Sequence, residues 1–288
     1  MKEERQVISH EKWLEKVDNE LKGKKTTEDL IHFYNTGLIL NPTAPEETKI
    51  HNIKSFPPEL RIGLVTSQTS TSEDLLSLLK VGVNTLIYND PVSDSDKYRE
   101  VVTDYIDIIA ESTDHLATRE EIWPGLKTST VVSGNIHISQ NNIWQKIASP
   151  LFGGADACIR IVLSDDILHN ISVLRAIRWV AEKTDNKITL IGEASVTDGE
   201  KEQSLIQASS QAMSFRMGGG DIFIPPSEET SIVQLKRYIH ILNIMSMESN
   251  MNAASDPCRG AYTIESLTAQ AIQKIEEAAP ARESNITK

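Results

Sequence analysis

From residue 61 onward, short apolar runs alternate with segments whose apolar residues recur every three or four positions. The runs are RIGLVTS, NTLIYNDP, STVVSG, ADACIRIVLSDD, KITLIGEAS and DIFIPPSEE, with YIDIIAES a weaker member of the series. They are short and almost wholly apolar at their centres, which predicts strands covered on both faces of a parallel sheet. SEDLLSLLKVG, NNIWQKIASPLFGG and EKEQSLIQASSQAMSFRMGGG predict amphipathic helices between them. Ile232, Leu235, Ile239 and Leu242 mark a further helix with one buried face. Gly82, Gly153, Gly154 and Gly218 to Gly220 close these helices, where a left-handed residue is expected. The alternation defines an α/β protein. Seven or eight strands favour a (β/α)8 TIM-type barrel, complete or reduced, over an open sheet.

Residues 1–60 follow a different pattern. Trp13, Val17 and Leu21, with Leu14 alongside, place one apolar stripe on a short helix that ends at Gly23. Pro42, Pro45, Pro57 and Pro58 make the stretch from Leu30 to Pro58 extended or irregular. The chain thus divides into an N-terminal arm, 1–60, and a barrel domain, 61–288. The apolar stripe needs a cover, which is either the arm's own domain or a partner.

Composition narrows the function. The 288 residues carry a net charge of −12, which opposes binding to nucleic acid and to anionic lipid. Cys158 and Cys258 lie far apart and form neither a disulfide framework nor a zinc spacing, as expected in a reducing compartment. No apolar run has the length of a membrane span, and the N-terminus has no signal-like core, so a cytoplasmic location is expected.

In a barrel, chemistry sits just after the strands. Those positions hold Asn89 and Asp90; Gly134, Asn135 and His137; Ser164, Asp165 and Asp166; Glu193 and Ser195; and Pro225, Pro226, Ser227 and Glu228. This rim is poor in cations, and most of its polar residues read as helix caps. His137, Asn135 and Glu193 are the catalytic candidates. The Asp165–Asp166 pair could bind a metal but has no third ligand nearby, and the alternative is a cap on the next helix. The glycines at 218–220 follow a helix and precede a strand, the reverse of a phosphate loop.

Residues 256–268, DPCRGAYTIESLT, resemble the Asp-Pro-x-Gly-Gly-Ser-Tyr-Tyr-x-Glu-x-Leu-Thr signature of methylmalonyl-CoA mutases. Asp256, Pro257, Gly260, Tyr262, Glu265, Leu267 and Thr268 match, whereas Arg259 and Ala261 depart from it. WLEKVDNELKGK followed by GLILNP resembles the opening arm of that family's small, β-type subunits. LRAIRWVAEK, from Leu174, resembles its Leu-Arg-Ala-x-Arg-x-Leu-Trp helix. HISQNNIWQKIASPLFGGAD resembles its His-containing strand-to-helix segment, with His137 or Asn135 at the histidine position. The resemblance implies a barrel through which a CoA ester threads in catalytic relatives. It also implies a large catalytic partner subunit that carries adenosylcobalamin on an Asp-x-His-x-x-Gly loop. No Asp here is followed two positions later by His, and the chain runs about twenty residues beyond the signature, so this chain is expected to bind no cofactor. The His-Thr-Asn triplet expected after DIFIPP is also absent. The expected role is a non-catalytic small subunit, with an acyl-CoA as an open question. The alternative is a self-contained barrel enzyme or acyl-CoA binder using His137, Glu193 or Asp165/Asp166.

Overall fold

The computed structural model describes residues 10–42, 48–65, 71–88, 107–110, 130–153, 157–195, 201–226, 231–249 and 255–280. A parallel sheet organises the chain. Its strands are β3 (Arg61–Val65), β4 (Thr85–Tyr88), β5 (Asp107–Ala110), β6 (Thr130–His137), β7 (Ala157–Val162), β8 (Ile188–Glu193) and β9 (Ile222–Ile224). Their spatial order is β5-β4-β3-β9-β8-β7-β6, and every pairing is parallel. Except for β5 and β6, strands consecutive in the chain pair with one another, and the first of the series, β3, pairs with the last, β9. The order is therefore cyclic, with β5 and β6 at its two ends. YIDIIAES, the weakest strand expectation, contains β5.

Helices α2 (Ser72–Leu79), α3 (Ile143–Phe152), α4 (Ile167–Lys183) and α5 (Lys201–Met217) connect strands, and α6 (Ile232–Glu248) follows the last one, β9. Side chains alternate between the two faces of a strand. Ile62, Leu64, Leu86, Ile159, Ile161, Leu190 and Phe223 pack with the helices in the main core. The alternate positions Val65, Ile87, Cys158, Ile191, Ile222 and Ile224 form a second cluster made of strand residues alone, each no more than 2% exposed. One face of the sheet is thus covered by helices, and the other carries a separate cluster of buried, mainly aliphatic side chains.

The helix ends follow local chemistry. Thr71, Asp166 and Ser231 cap α2, α4 and α6 by accepting the N–H of Asp74, His169 and Gln234. Gly82 and Gly219 take the expected left-handed conformation. Gly153 does not: it closes α3 with a right-handed φ of −76°, its N–H bonded to the carbonyl of Pro150. Pro150, inside the last turn, makes a tight ending there without a left-handed residue. Gly154 lies outside the described residues.

The arm begins with α1 (His10–Leu21) and a 3-10 turn (Thr27–Leu30), tied together by the Thr27 hydroxyl on Asp18. A hairpin of β1 (His32–Phe33) and β2 (Ile39–Leu40) follows. The hairpin and residues 48–58 fold back on the rest of the chain. Leu38 is fully buried in the main core. Gln270, on the final helix α7 (Tyr262–Glu277), bonds both the N–H and the carbonyl of Ile39. Glu182 accepts the N–H groups of Lys54 and Ser55. Helix α7 packs chiefly on α4, so α4 is covered on two sides. That explains why every residue from His169 to Arg178 is buried. Among the described residues, no helix is long and apolar enough to cross a membrane.

Candidate functional site

On the face of the sheet turned away from the helices, two charged side chains of neighbouring strands form an ion pair. Arg160, in the middle of β7, reaches Glu193 at the end of β8, with Nη2 and Nε lying 2.9 and 3.1 Å from Oε2. Their side chains are 9% and 14% exposed. Register places His137, Val162, Glu193 and Ile224 in one row across β6 to β9. His137 and Glu193 are thus two strands apart on the same face, and His137 is exposed. The register of β6 slips between Val132 and Ile136, a bulge opposite Arg160. Bulges recur where a strand must re-aim side chains near a site. Asn135 lies within this bulge; its side chain is outside the described residues, as are Asn89, Asp90, Ser227 and Glu228.

Glu193 is therefore held by a cation from the middle of the neighbouring strand rather than acting as a helix cap. Arg160 carries no signal in the sequence, because it lies inside an apolar strand and not at the positions that follow one. A guanidinium amid Val, Ile and Cys side chains is costly to desolvate and holds its place through its carboxylate partner.

Asp165 and Asp166 part company. Asp165 accepts from the side-chain amides of Gln207 and Gln211 on α5, at 2.6 and 2.9 Å. Asp166 caps α4 and accepts the Tyr34 hydroxyl at 3.2 Å. The two carboxylates serve different elements rather than one ion, and the described residues contain no group of three metal-type ligands. Around Asp166 the arm hairpin forms a second site. Tyr34 stacks on His169, with ring centroids 4.7 Å apart, and the Thr36 hydroxyl lies 2.9 Å from His169 Nε2. The Trp144 indole donates to the Thr36 carbonyl. Tyr34, Thr36, Asp166 and His169, with Ser139 and Ser164, line a cavity of about 230 Å3. Burial pushes the His169 imidazole down to about 4, against the pull of Asp166. Burial and the Asp166 charge push the Tyr34 phenol upward. His169 is thus a neutral latch for the hairpin at ordinary pH.

The residues of the 256–268 segment assemble elsewhere. Arg175 of α4 pairs with Asp256 and, at 2.9 Å, with Glu265. Glu265 accepts the N–H of His51 at 2.9 Å, the His51 ring at 3.0 Å, and the N–H of Gly260 at 3.0 Å. Burial raises the Glu265 carboxyl, but these donors and Arg175 outweigh it and hold the group below its ordinary value. Asp256, with fewer donors, is pushed up by burial. Gly260 turns with φ +80°, which brings its N–H onto Glu265. Arg178, three residues along, holds the glycine turn: it donates to the carbonyls of Gly219 and Ile188 and pairs with Asp221. A Cβ on Gly218 would come within 2.7 Å of Leu174, and one on Gly220 would overlap the Phe215 ring. The triple glycine is a packing device between α5 and β9.

The cluster is a joint between α4, α7 and the arm. Its charged side chains are at most 4% exposed. No protein-family model matches this sequence, and no match to a curated protein is found.

Proposed function

We propose that this chain is a non-catalytic small subunit of a methylmalonyl-CoA mutase, folded as a reduced (β/α) barrel. One observation carries the reading. The segments that resemble that family are far apart in sequence, yet Arg175, Asp256, Gly260 and Glu265 meet in a single buried cluster that also grips the arm at His51. Residues that resemble a family signature and are all engaged in one joint point to an inherited architecture. The cyclic strand order and the self-covered inner face support barrel closure.

The same inner face argues against catalysis. A thioester chain threading the sheet would need the space filled by Ile87, Ile191, Ile222 and Ile224. Packing there is close: a Cβ on Gly63 would lie 2.7 Å from Ile222. Where the family places a His-Thr-Asn triplet, this chain has the buried Pro225 and Pro226. These residues do not fit a face that meets adenosylcobalamin, and the cofactor belongs to the partner in this reading. The test is co-purification with the large mutase subunit. A one-to-one complex is expected; a monodisperse monomer that ignores the large subunit overturns the assignment.

A second reading, an acyl-CoA binder or self-contained enzyme, is favoured by the row of His137 and Glu193 beside Arg160. A rise in melting temperature with acyl-CoAs, lost in Arg160→Met, would favour it over the scaffold.

A further inference from the structure

The arm hairpin closes the small cavity against the start of α4. Its turn is tight: the Tyr34 N–H bonds the Leu38 carbonyl, the Gly37 N–H bonds the Tyr34 carbonyl, and Gly37 takes the left-handed φ of +80° that this requires. The turn sets Tyr34 and Thr36 against Asp166 and His169. Ser139, just after β6, and Ser164, just after β7, complete the wall. The cavity therefore lies at the C-terminal ends of these strands, where parallel α/β folds bind their ligands. Its volume of about 230 Å3 suits a molecule of fewer than about ten heavy atoms.

The wall combines one carboxylate with several rings. Among the described residues that line it, Asp166 is the only acid and there is no Lys or Arg. The His169 ring is 2% exposed and is kept uncharged by burial. His32, Phe33 and Tyr34 add three more rings, and His32 stands edge-on to Tyr34 at 83°. An aromatic face is electron-rich and attracts a cation. Asp166 accepts one bond on each oxygen, from the His169 N–H and the Tyr34 hydroxyl; a carboxylate has room for about four. The N-terminus of α4 opposes a cation here with about half a charge, less than the full charge of Asp166. An anion finds no opposite charge in this wall and meets Asp166 instead. A bare metal ion lacks ligands, since the described residues hold no group of three. Rings around a single carboxylate suit a cation that is itself clad in methyl groups.

We propose that this cavity binds a small methylated ammonium ion, with its methyl groups against the hairpin rings and its charge facing Asp166. The site goes beyond the small-subunit reading and does not depend on it. The test is calorimetric titration of the full chain with choline and with its neutral isostere, in which a tert-butyl group replaces trimethylammonium. Choline binds one to one and about tenfold or more tighter than the isostere. Asp166→Asn removes the charge but keeps an oxygen for the His169 N–H and the Tyr34 hydroxyl; Tyr34→Leu removes a ring. Each weakens choline about tenfold or more, while Asp185→Asn, at an exposed carboxylate elsewhere, binds as wild type does. Circular dichroism and melting temperature identify the folded variants. Phe33→Ser, at a position 67% exposed, replaces Tyr34→Leu if that variant does not fold. No binding of choline, or equal affinity for its isostere, overturns the proposal. Wild-type affinity in the folded cavity variants, or an equal loss in Asp185→Asn, overturns it too.

Discussion

Two buried pairs of charges occupy opposite sides of the sheet, and they are built differently. On the helix side, Glu265 accepts from Arg175, from the His51 ring and from the N–H groups of His51 and Gly260. On the inner side, Glu193 meets Arg160 among aliphatic side chains and beside a strand bulge. The first pair joins three elements, and the second joins two neighbouring strands that already pair through their backbones. Residues that resemble a family signature therefore hold the architecture together here, while the Arg160–Glu193 pair lies among aliphatic side chains on the other face of the sheet.

Breaking the outer cluster gives the largest effect. Arg175→Leu leaves Asp256 and Glu265 buried without their cation, a loss of about 3–5 kcal/mol and of order 10 °C in melting temperature. Adding Glu265→Leu does not restore stability, because the N–H groups of His51 and Gly260 then lose their acceptor. Recovery by the double variant in urea denaturation would show that the cluster is only an ion pair.

The latch on the hairpin comes next. His169 titrates near 4 when folded and near 6.5 when unfolded. The unfolded chain binds more protons between these values, so stability is full above pH 6.5 and falls progressively to pH 4. The loss approaches about 3 kcal/mol. Melting temperatures across this range decline in the wild type and flatten in His169→Gln. An equal slope in both would remove His169 from the latch.

The glycine turn ranks third. Gly220→Ala drives a methyl into the Phe215 ring and costs about 1–3 kcal/mol, measurable by denaturant titration. The inner pair has the smallest effect when both partners are replaced. Arg160→Met/Glu193→Leu changes stability by less than about 1 kcal/mol, as expected when a buried pair is exchanged for hydrocarbon. A large loss would place the inner pair in the same class as the outer cluster.

The strands were legible because a parallel strand is apolar throughout, and β3, β4, β7 and β9 fall inside the expected runs. The outer cluster was not, since His51, Arg175 and Glu265 meet only when the arm and α7 cover α4. The same covering hid α4 from a search for one apolar face: Asn170, Ser172, Arg175 and Arg178 are buried on its other sides. Asp166 was read as a cap and is one, but its bond to Tyr34 depends on the hairpin, 132 residues away. Gly153 shows the limit of a rule drawn from composition, since Pro150 ends α3 in another way.

The most direct measurement is turnover of methylmalonyl-CoA by the chain alone, by the large subunit alone and by the two together, with adenosylcobalamin present. A non-catalytic subunit predicts no turnover by the chain alone, and unchanged turnover by the pair when it carries Arg160→Met/Glu193→Leu. Turnover by the chain alone, or its loss from the pair on that double substitution, would contradict the assignment.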